Sequence, residues 1–226
     1  MQRTESNRPF CADGSRPMVF NPLENASARL SGLLVDQITK KSSSSMSLYI
    51  KSRFAKEVFD CYSEWRQLCS SSRRLDRDDA NLHFARLVTN DIYGEWTTDG
   101  RTRIRRCSNE QFRQYELIFN DLQEPSGQNS QSEHSNVLLN NLLTACAGRF
   151  LFLTAVGYAG LGPHELQVGD SLYVLAGGHK LYVLRPVLGA TRSQTFNLIG
   201  DCYVQGIMDG EAVEGRDDDF HDVFMG

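Results

Sequence analysis

The residues that most resemble catalytic or metal-binding machinery lie between positions 164 and 171. His164 and Glu165 begin the H-E-x-x-H pattern of a zinc metalloprotease, but Val168 occupies the place of the second histidine. The run Gly169-Asp170-Ser171 likewise lacks the G-x-S-x-G spacing of a hydrolase nucleophile elbow. We therefore predict neither zinc nor serine chemistry here, and we expect that the protein is not an enzyme.

A glycine-rich segment at residues 157–162, GYAGLG, has the composition of a phosphate-binding loop. It lacks the G-K-[ST] ending of a P-loop and the G-x-G-x-x-G spacing of a dinucleotide-binding turn. Pro163 follows it, and no helix is predicted next whose N-terminus could face an anion. We interpret these glycines as turn residues and predict no cofactor.

The remaining histidines, cysteines and acidic residues form no metal-binding pattern. The acidic run 217–219 lacks the ligand spacing and the glycine of a calcium loop, and the five histidines are scattered. No C-x-x-C pair occurs among the six cysteines, and no secretory leader precedes them. We predict no metal site, and we interpret the cysteines as reduced thiols of a cytoplasmic protein.

Asp170 and Arg185 are the charges most worth noticing, because each adjoins an apolar strand. The sequence allows an exposed turn aspartate with an edge arginine, a structural ion pair, or an arginine held by backbone carbonyls. A structural role is favoured over ligand recognition. Exchange of Arg185 for alanine is then expected to lower the melting temperature.

Composition restricts the class of protein. The chain has 226 residues, of which 40% are hydrophobic and 23% charged, which suits one large domain or two small ones. Its net charge of −4 argues against a nucleic-acid-binding protein of the basic-patch kind. No run of apolar residues is long enough to span a bilayer. We therefore expect partners other than nucleic acid or membrane.

The elements that must position these residues fall into a helical and a β part. Apolar residues at three- and four-residue steps predict helices over 48–69, 78–93, 110–122 and 137–146, with a polar linker at 123–135. The periodicity of Ala28–Ile38 is compatible with a strand or with a helix. Gly32 favours the strand, because glycine destabilises the interior of a helix. The serine tract Lys40–Ser47 is predicted to be a loop.

Short runs of β-forming residues alternate with glycine turns in the last third of the chain. Strands are predicted over 150–155, 171–175, 181–185, 196–199 and 202–204, and the segment between the second and third predicts a hairpin. Strands this short indicate a small barrel or a strongly bent sheet. The fold class is thus α+β: a small C-terminal barrel-like sheet, joined by an early strand near 28–38, with a helical insertion on one side.

We divide the chain into an irregular segment, a single domain and a tail. Residues 1–25 are irregular, and residues 26–211 form the α+β domain, with its helical part at about 48–146 and its β part at about 149–208. Residues 212–226 are expected to be a disordered, solvating acidic tail. The alternative is that Phe220, Val223 and Phe224 dock onto a partner.

Several ordered motifs lie between Arg149 and Glu211: R-F…T, G-Y-A-G-L-G-P, G-D, V-L-R-P and Y-V-x-G-I-M-D-G-E. Together they resemble the C-terminal region of fungal heterokaryon-incompatibility (HET domain) proteins. Two upstream pieces, 30–38 and 84–91, are also similar to that family. The L-S-Y-x-W-G motif of the HET domain does not occur in this sequence, so we expect the chain to lack that domain. The residues that carry the resemblance, which we interpret as a structural motif, are Gly157, Gly160, Gly162, Pro163, Gly169, Asp170, Arg185, Pro186, Tyr203, Gly206, Gly210 and Glu211.

The resemblance implies a function in fungal nonself recognition and programmed cell death. Within it, this chain would be a non-enzymatic accessory or regulatory region with a protein partner, for which a HET-domain protein is the candidate. The alternative is a small-ligand or glycan-binding β module, whose site would be lined by Tyr158, Tyr173, Tyr182 and Tyr203 with Arg185. An enzyme ranks last and would require a cleft that gathers His164, Asp170 and Arg185.

Overall fold

The structure is a computed structural model that describes residues 9–18, 20–22, 28–46, 56–74, 80–96, 102–115, 142–187 and 195–226. The predicted linker at 123–135 lies outside these ranges. The strands are β1 (Phe20–Pro22), β2 (Ala28–Ser45), β3 (Ile92–Trp96), β4 (Thr102–Arg106), β5 (Phe150–Thr154), β6 (Ala159–Gly162), β7 (Ser171–Leu175), β8 (Leu181–Pro186), β9 (Thr195–Val204) and β10 (His221–Met225). The helices are α1 (Lys56–Ser70) and α2 (Ala80–Val88), with further helical residues at 109–115 and 142–146 and a 3₁₀ turn at Asp217–Asp219.

The main sheet closes on itself. Strands β2, β5, β6, β9, β8 and β7 pair in that order, each antiparallel to the next, and β7 pairs back onto β2. Helix α1 packs against β2 and β5, and α2 packs against β6. The predicted α+β class, the barrel-like sheet and the helices on one side of it are confirmed.

Strand β2 takes part in both halves of the ring. Its first half pairs with β7, from Gly32 opposite Leu175 onward, and its second half pairs with β5, to Ser45 opposite Phe150. Register shifts interrupt both ladders, and such bulges bend a strand. The bend lets one strand close the ring, and the predicted strand over 28–38 is confirmed.

The prediction of a loop over Lys40–Ser47 is wrong, because β2 continues through the serine tract to Ser45. Ser42 is buried there, and its hydroxyl donates to the carbonyl of Ser44 (2.8 Å) and accepts from the amide of Leu151 (3.2 Å). A buried serine with both bonds made is compatible with a strand, although serine composition is typical of loops.

One hydrophobic core joins the barrel to the helices. It includes Leu151 and Phe152 of β5 together with Trp65 of α1 and Leu87 of α2, all fully buried. A smaller cluster, centred on Tyr173, Phe196 and Val223, fills the space beneath β10. Because barrel and helices share a core, they are expected to unfold together. The predicted division at residues 25 and 211 stays a prediction.

The predicted helix over 78–93 is shorter than expected. Helix α2 ends at Val88, where the Thr89 hydroxyl donates to the carbonyl of Ala85 (2.8 Å). Asn90 and Asp91 then adopt left-handed backbone angles, with φ of 52° and 53°, and the chain turns into the β3–β4 hairpin. None of the helices described here combines the length and the apolar character that a membrane-spanning helix requires.

The sequence predicted a break between two strands at residues 200 and 201, and this prediction is wrong. The two predicted strands are one, Thr195–Val204, with a register shift against β8 between Val183 opposite Gly200 and Leu184 opposite Leu198. A glycine at such a position is typical of a bulge within a strand, so it bends the strand here instead of ending it.

The expectation of a disordered acidic tail is wrong for residues 221–225. They form β10, which pairs antiparallel with the start of β2 and parallel with β9. Val223 is fully buried, and Gly32, which pairs with His221, leaves room for it, since a Cβ on Gly32 would lie 2.8 Å from Val223 Cγ2. Three of the acidic residues that precede Val223 pair with arginines: Asp217 with Arg16, Asp219 with Arg216 and Asp222 with Arg29.

Candidate functional site

Asp170 and Arg185 form an ion pair. The Arg185 guanidinium donates from Nε to Asp170 Oδ1 (2.7 Å) and from Nη2 to Asp170 Oδ2 (3.0 Å) and to the Glu165 carbonyl (2.7 Å). The Asp170 side chain is 2% exposed and also accepts from the amide of Gln167 (2.8 Å). The hydrogen bond with Asp170 raises the pKa of Arg185. The arrangement joins the turn before β7 to β8, which suits the structural role we predicted.

The glycines of the motif lie in strand β6 and in turns. A Cβ on Gly160 would lie 2.4 Å from Phe152 Cζ and 2.6 Å from the Tyr203 carbonyl, so the strand has no room for a side chain there. Positive φ angles between 84° and 102° occur at Gly157, Gly169, Gly206 and Gly210. Of the other motif residues, Gly162 and Pro186 end β6 and β8, Pro163 follows β6, Tyr203 lies in β9, and Glu211 follows Gly210.

Of the three groups that would have indicated an enzyme, Asp170 and Arg185 bind each other and His164 contacts an aromatic ring. His164 lies against the ring of Phe150 with centroids 5.4 Å apart, and Asp170 is held by Arg185. Burial raises the pKa of Cys61 and of Cys69 to about 12. Thiols of that pKa stay protonated at neutral pH and are poor nucleophiles. Among the residues that the structure describes, no group of histidine, cysteine and carboxylate side chains could hold a metal ion.

A cavity of about 330 Å³ lies where the barrel meets α2 and β4. Most of its lining comes from three stretches that carried the family resemblance, 84–91, 157–162 and 203–211, and Arg74, His83 and Arg106 complete it. The lining includes Tyr158 and Tyr203, two of the four tyrosines proposed for a ligand site, but Arg185 is not part of it. Sequence analysis missed this cavity. The resemblance at 84–91 was the available signal.

Arg106 organises one side of the cavity. It donates from Nη1 to Asp91 (2.6 Å), from Nη2 to Asp209 (2.6 Å) and from Nε to the Pro9 carbonyl (3.0 Å). Burial raises the pKa of Asp91, although the positive charges of Arg106 and Arg86 act in the opposite direction. Both carboxylates are thus occupied by the same guanidinium.

Two other arginines in the wall, Arg74 and Arg86, have no carboxylate within salt-bridge distance among the described residues. Arg74 donates to the hydroxyl of Tyr158 (2.9 Å) and lies over its ring. Arg86 lies over the ring of Phe112, and its buried Nε has no hydrogen-bond partner within the described part of the chain.

His83 and Gln205 meet at the same wall. The Gln205 side-chain amide lies 2.5 Å from His83 Nδ1, while Gln205 Oε1 is buried and without a partner among the residues described. The cavity lining therefore includes two guanidinium groups without a carboxylate partner, an imidazole and an acceptor without a donor among the described residues. Groups of this kind recognise an anion that carries hydroxyl groups.

Comparison with known proteins finds one family model that is similar to the C-terminal part of the chain. Residues 127–223 match the family model of the Het-6 beta-barrel domain. The matched region ends within β10 and leaves out β2, which the ring nevertheless requires. The predicted resemblance to the C-terminal region of heterokaryon-incompatibility proteins is confirmed.

A similar curated protein is the heterokaryon incompatibility protein 6, OR allele, of Neurospora crassa. It is 43% identical to this chain over 75 residues, which are 33% of this chain and 11% of that protein. The matched region thus spans about a tenth of the curated relative's length. No solved structure matches the chain significantly.

Proposed function

We propose that this chain, whose C-terminal part carries the Het-6 barrel match, is a non-enzymatic accessory module of fungal nonself recognition. In this proposal it acts in the cytoplasm and binds a protein partner that supplies the effector of cell death. The family match is the observation that carries the proposal. A HET-domain protein is the partner we propose, because the similar curated protein is named for heterokaryon incompatibility.

The filled interior of the barrel supports a scaffolding role. Leu151, Val174, Leu181 and Val183 come from three strands, β5, β7 and β8, and are all fully buried in one core. Tyr173 is also buried, at 3% exposure, and packs edge-on against Phe196. A barrel filled by its own side chains presents an outer surface to partners rather than an internal binding site. This weakens the alternative of a glycan site lined by the strand tyrosines.

The proposal is tested by co-expression of the tagged chain with a full-length Het-6 relative in a fungal host. We expect the relative to co-purify with the chain and the fraction of dying cells to change. A Val223→Asp variant, which should release β10 from β2 and β9, is the matched control and should neither bind nor alter viability. Absence of co-purification together with unchanged cell death would contradict the proposal.

A further inference from the structure

We propose that the cavity between the barrel and α2 binds a small organic phosphate that carries hydroxyl groups. The proposal does not depend on the accessory function above. No function that we predicted for the motif residues involves this cavity. The cavity lies outside the filled barrel, so a bound molecule would contact both the barrel and the helical part.

The arginines that line the cavity differ in how their charge is balanced. Arg106 is neutralised by the carboxylates of Asp91 and Asp209. Arg74 and Arg86 have no carboxylate within salt-bridge distance in the described ranges, although Arg86 lies near enough to Asp91 for its charge to oppose the rise in the pKa of that carboxyl. These two guanidinium groups are the ones that can accept an anion as a direct partner. Guanidinium groups bind phosphate through paired hydrogen bonds, which gives both strength and orientation.

Two polar atoms of the wall are left without partners. Arg86 Nε lacks an acceptor and Gln205 Oε1 lacks a donor within the described residues, and both atoms are shielded from water. An unpaired buried polar atom typically costs about 1–3 kcal/mol. A small rotation of each side chain toward the cavity would let a phosphate oxygen accept from Arg86 and a ligand hydroxyl donate to Gln205. A hydroxylated organic phosphate supplies both missing partners from separate groups, and its carbon skeleton fills space that inorganic phosphate leaves empty.

The size and the apolar surface of the cavity suit a molecule of a few carbon atoms. A volume of about 330 Å³ lies at the lower end of the range for small-molecule sites. Tyr158 and Tyr203 contribute ring surface, and Ala159 and Met208 contribute further apolar contacts. The ligand would thus place its phosphate at Arg74 and Arg86 and its carbon skeleton along the tyrosines.

Calorimetric titration of the full chain at low salt tests the proposal, with glycerol 1-phosphate as the probe. We expect it to bind at least tenfold more tightly than inorganic phosphate, citrate or uncharged glycerol. Arg86→Gln and Arg74→Gln should each weaken binding about tenfold, the loss expected for a charged hydrogen bond. Arg113→Gln removes the same charge from a side chain that is 77% exposed, and it should leave the affinity unchanged.

Three results would overturn the proposal: no binding of glycerol 1-phosphate, equal affinity for citrate, or equal weakening by Arg113→Gln. The last result would mean that only the general surface charge attracts the probe. If an arginine variant does not fold, amide chemical shifts of the unmodified chain decide. Addition of the probe should move the amides of Ala159 and Gln205 to Asp209 and leave that of Gly169 in place. Unmoved cavity amides would also overturn the proposal.

Discussion

At the scale of single residues, Gly160 shows why the glycine motif is structural. It lies in β6 between the ring of Phe152 and the carbonyl of Tyr203, both closer than 3 Å to the position that a Cβ would take. Gly206 has open space around it and instead requires a positive φ of 84°. The two glycines thus exclude side chains for different reasons, one by close packing and one by backbone angle.

Exchange of each glycine for alanine separates these reasons. Gly160→Ala should lower the free energy of unfolding by about 3 kcal/mol, because neither the ring nor the carbonyl can move aside cheaply. Gly206→Ala should cost only about 1 kcal/mol, the expense of a left-handed backbone angle with a side chain. Urea unfolding of both variants gives the comparison. Equal costs would show that β6 can widen to accept a methyl group.

Arg185→Ala tests the ion pair. It leaves the buried Asp170 carboxylate without its guanidinium, and we expect a loss of about 3 kcal/mol in unfolding free energy and a lower melting temperature. The double variant Arg185→Ala with Asp170→Asn should lose less unfolding free energy than the sum of the two single variants, because no unpaired buried carboxylate remains. An unchanged melting temperature with lost partner binding would assign Arg185 to recognition instead.

At the scale of elements, Glu64 attaches α1 to the serine half of β2. Its carboxylate accepts from the amide and hydroxyl of Ser43 and from the amide of Ser44 (3.1 Å), and Trp65 Nε1 donates to the Ser44 carbonyl (3.1 Å). In this stretch β2 pairs with β5 on one side only. The helix therefore satisfies backbone groups of an edge that would otherwise be open to another chain.

Glu64→Gln should weaken this attachment by about 1 kcal/mol at neutral pH, because a charged acceptor becomes neutral. Burial alone would raise the pKa of Glu64, but the hydrogen bonds from Ser43 and Ser44 together lower it. A lowered carboxyl pKa gives stability that is complete above the unfolded value and is lost as the pH falls through the folded one. The difference between the melting temperatures of the two proteins should thus begin to shrink as the pH falls below about 4.5 and should vanish only below the lowered pKa of Glu64. A gap that persists at low pH would contradict this account.

Strand β10 is held by one buried side chain. Val223→Asp should cost about 3 kcal/mol, since a charge would have to enter the cluster around Tyr173 and Phe196. Asp222→Asn changes the neighbouring residue, whose ion pair with Arg29 is exposed, and should cost less than about 0.5 kcal/mol. Thermal unfolding measures both changes. Limited proteolysis should cut the first variant near residue 220 and spare the second.

At the scale of the whole molecule, the ring depends on residues from both ends of the chain. Strand β2 fills the place between β5 and β7, and those strands belong to the C-terminal part. A fragment that starts at Arg149 would leave the paired edges of β5 and β7 open. We expect it to be insoluble or aggregated when it is expressed alone. A well-folded monomer, measured by size-exclusion chromatography and circular dichroism, would show that the C-terminal part is an independent domain.

Local patterns predicted the parts of the fold that depend on local contacts. The β7–β8 hairpin follows from two short apolar runs around Gly177 and Gly178, and the Asp170–Arg185 contact follows from that hairpin. The strand at the serine tract and β10 were missed, because each exists only through pairing with distant segments. The cavity was missed for the same reason: its arginines come from three separate elements, and no spacing in the sequence brings them together.

The position of β2 also fixes when the barrel can close during synthesis. Its first half pairs with residues 171–175 and the ring also requires β9, so the chain through Val204 must leave the ribosome before the ring is complete. Until then the first half of β2 lacks its partner β7. The length of this period is set by translation, which adds roughly 5–20 residues per second. We therefore expect a chaperone to bind the nascent chain. Slower translation of the last third would prolong the period in which the chain can misassemble.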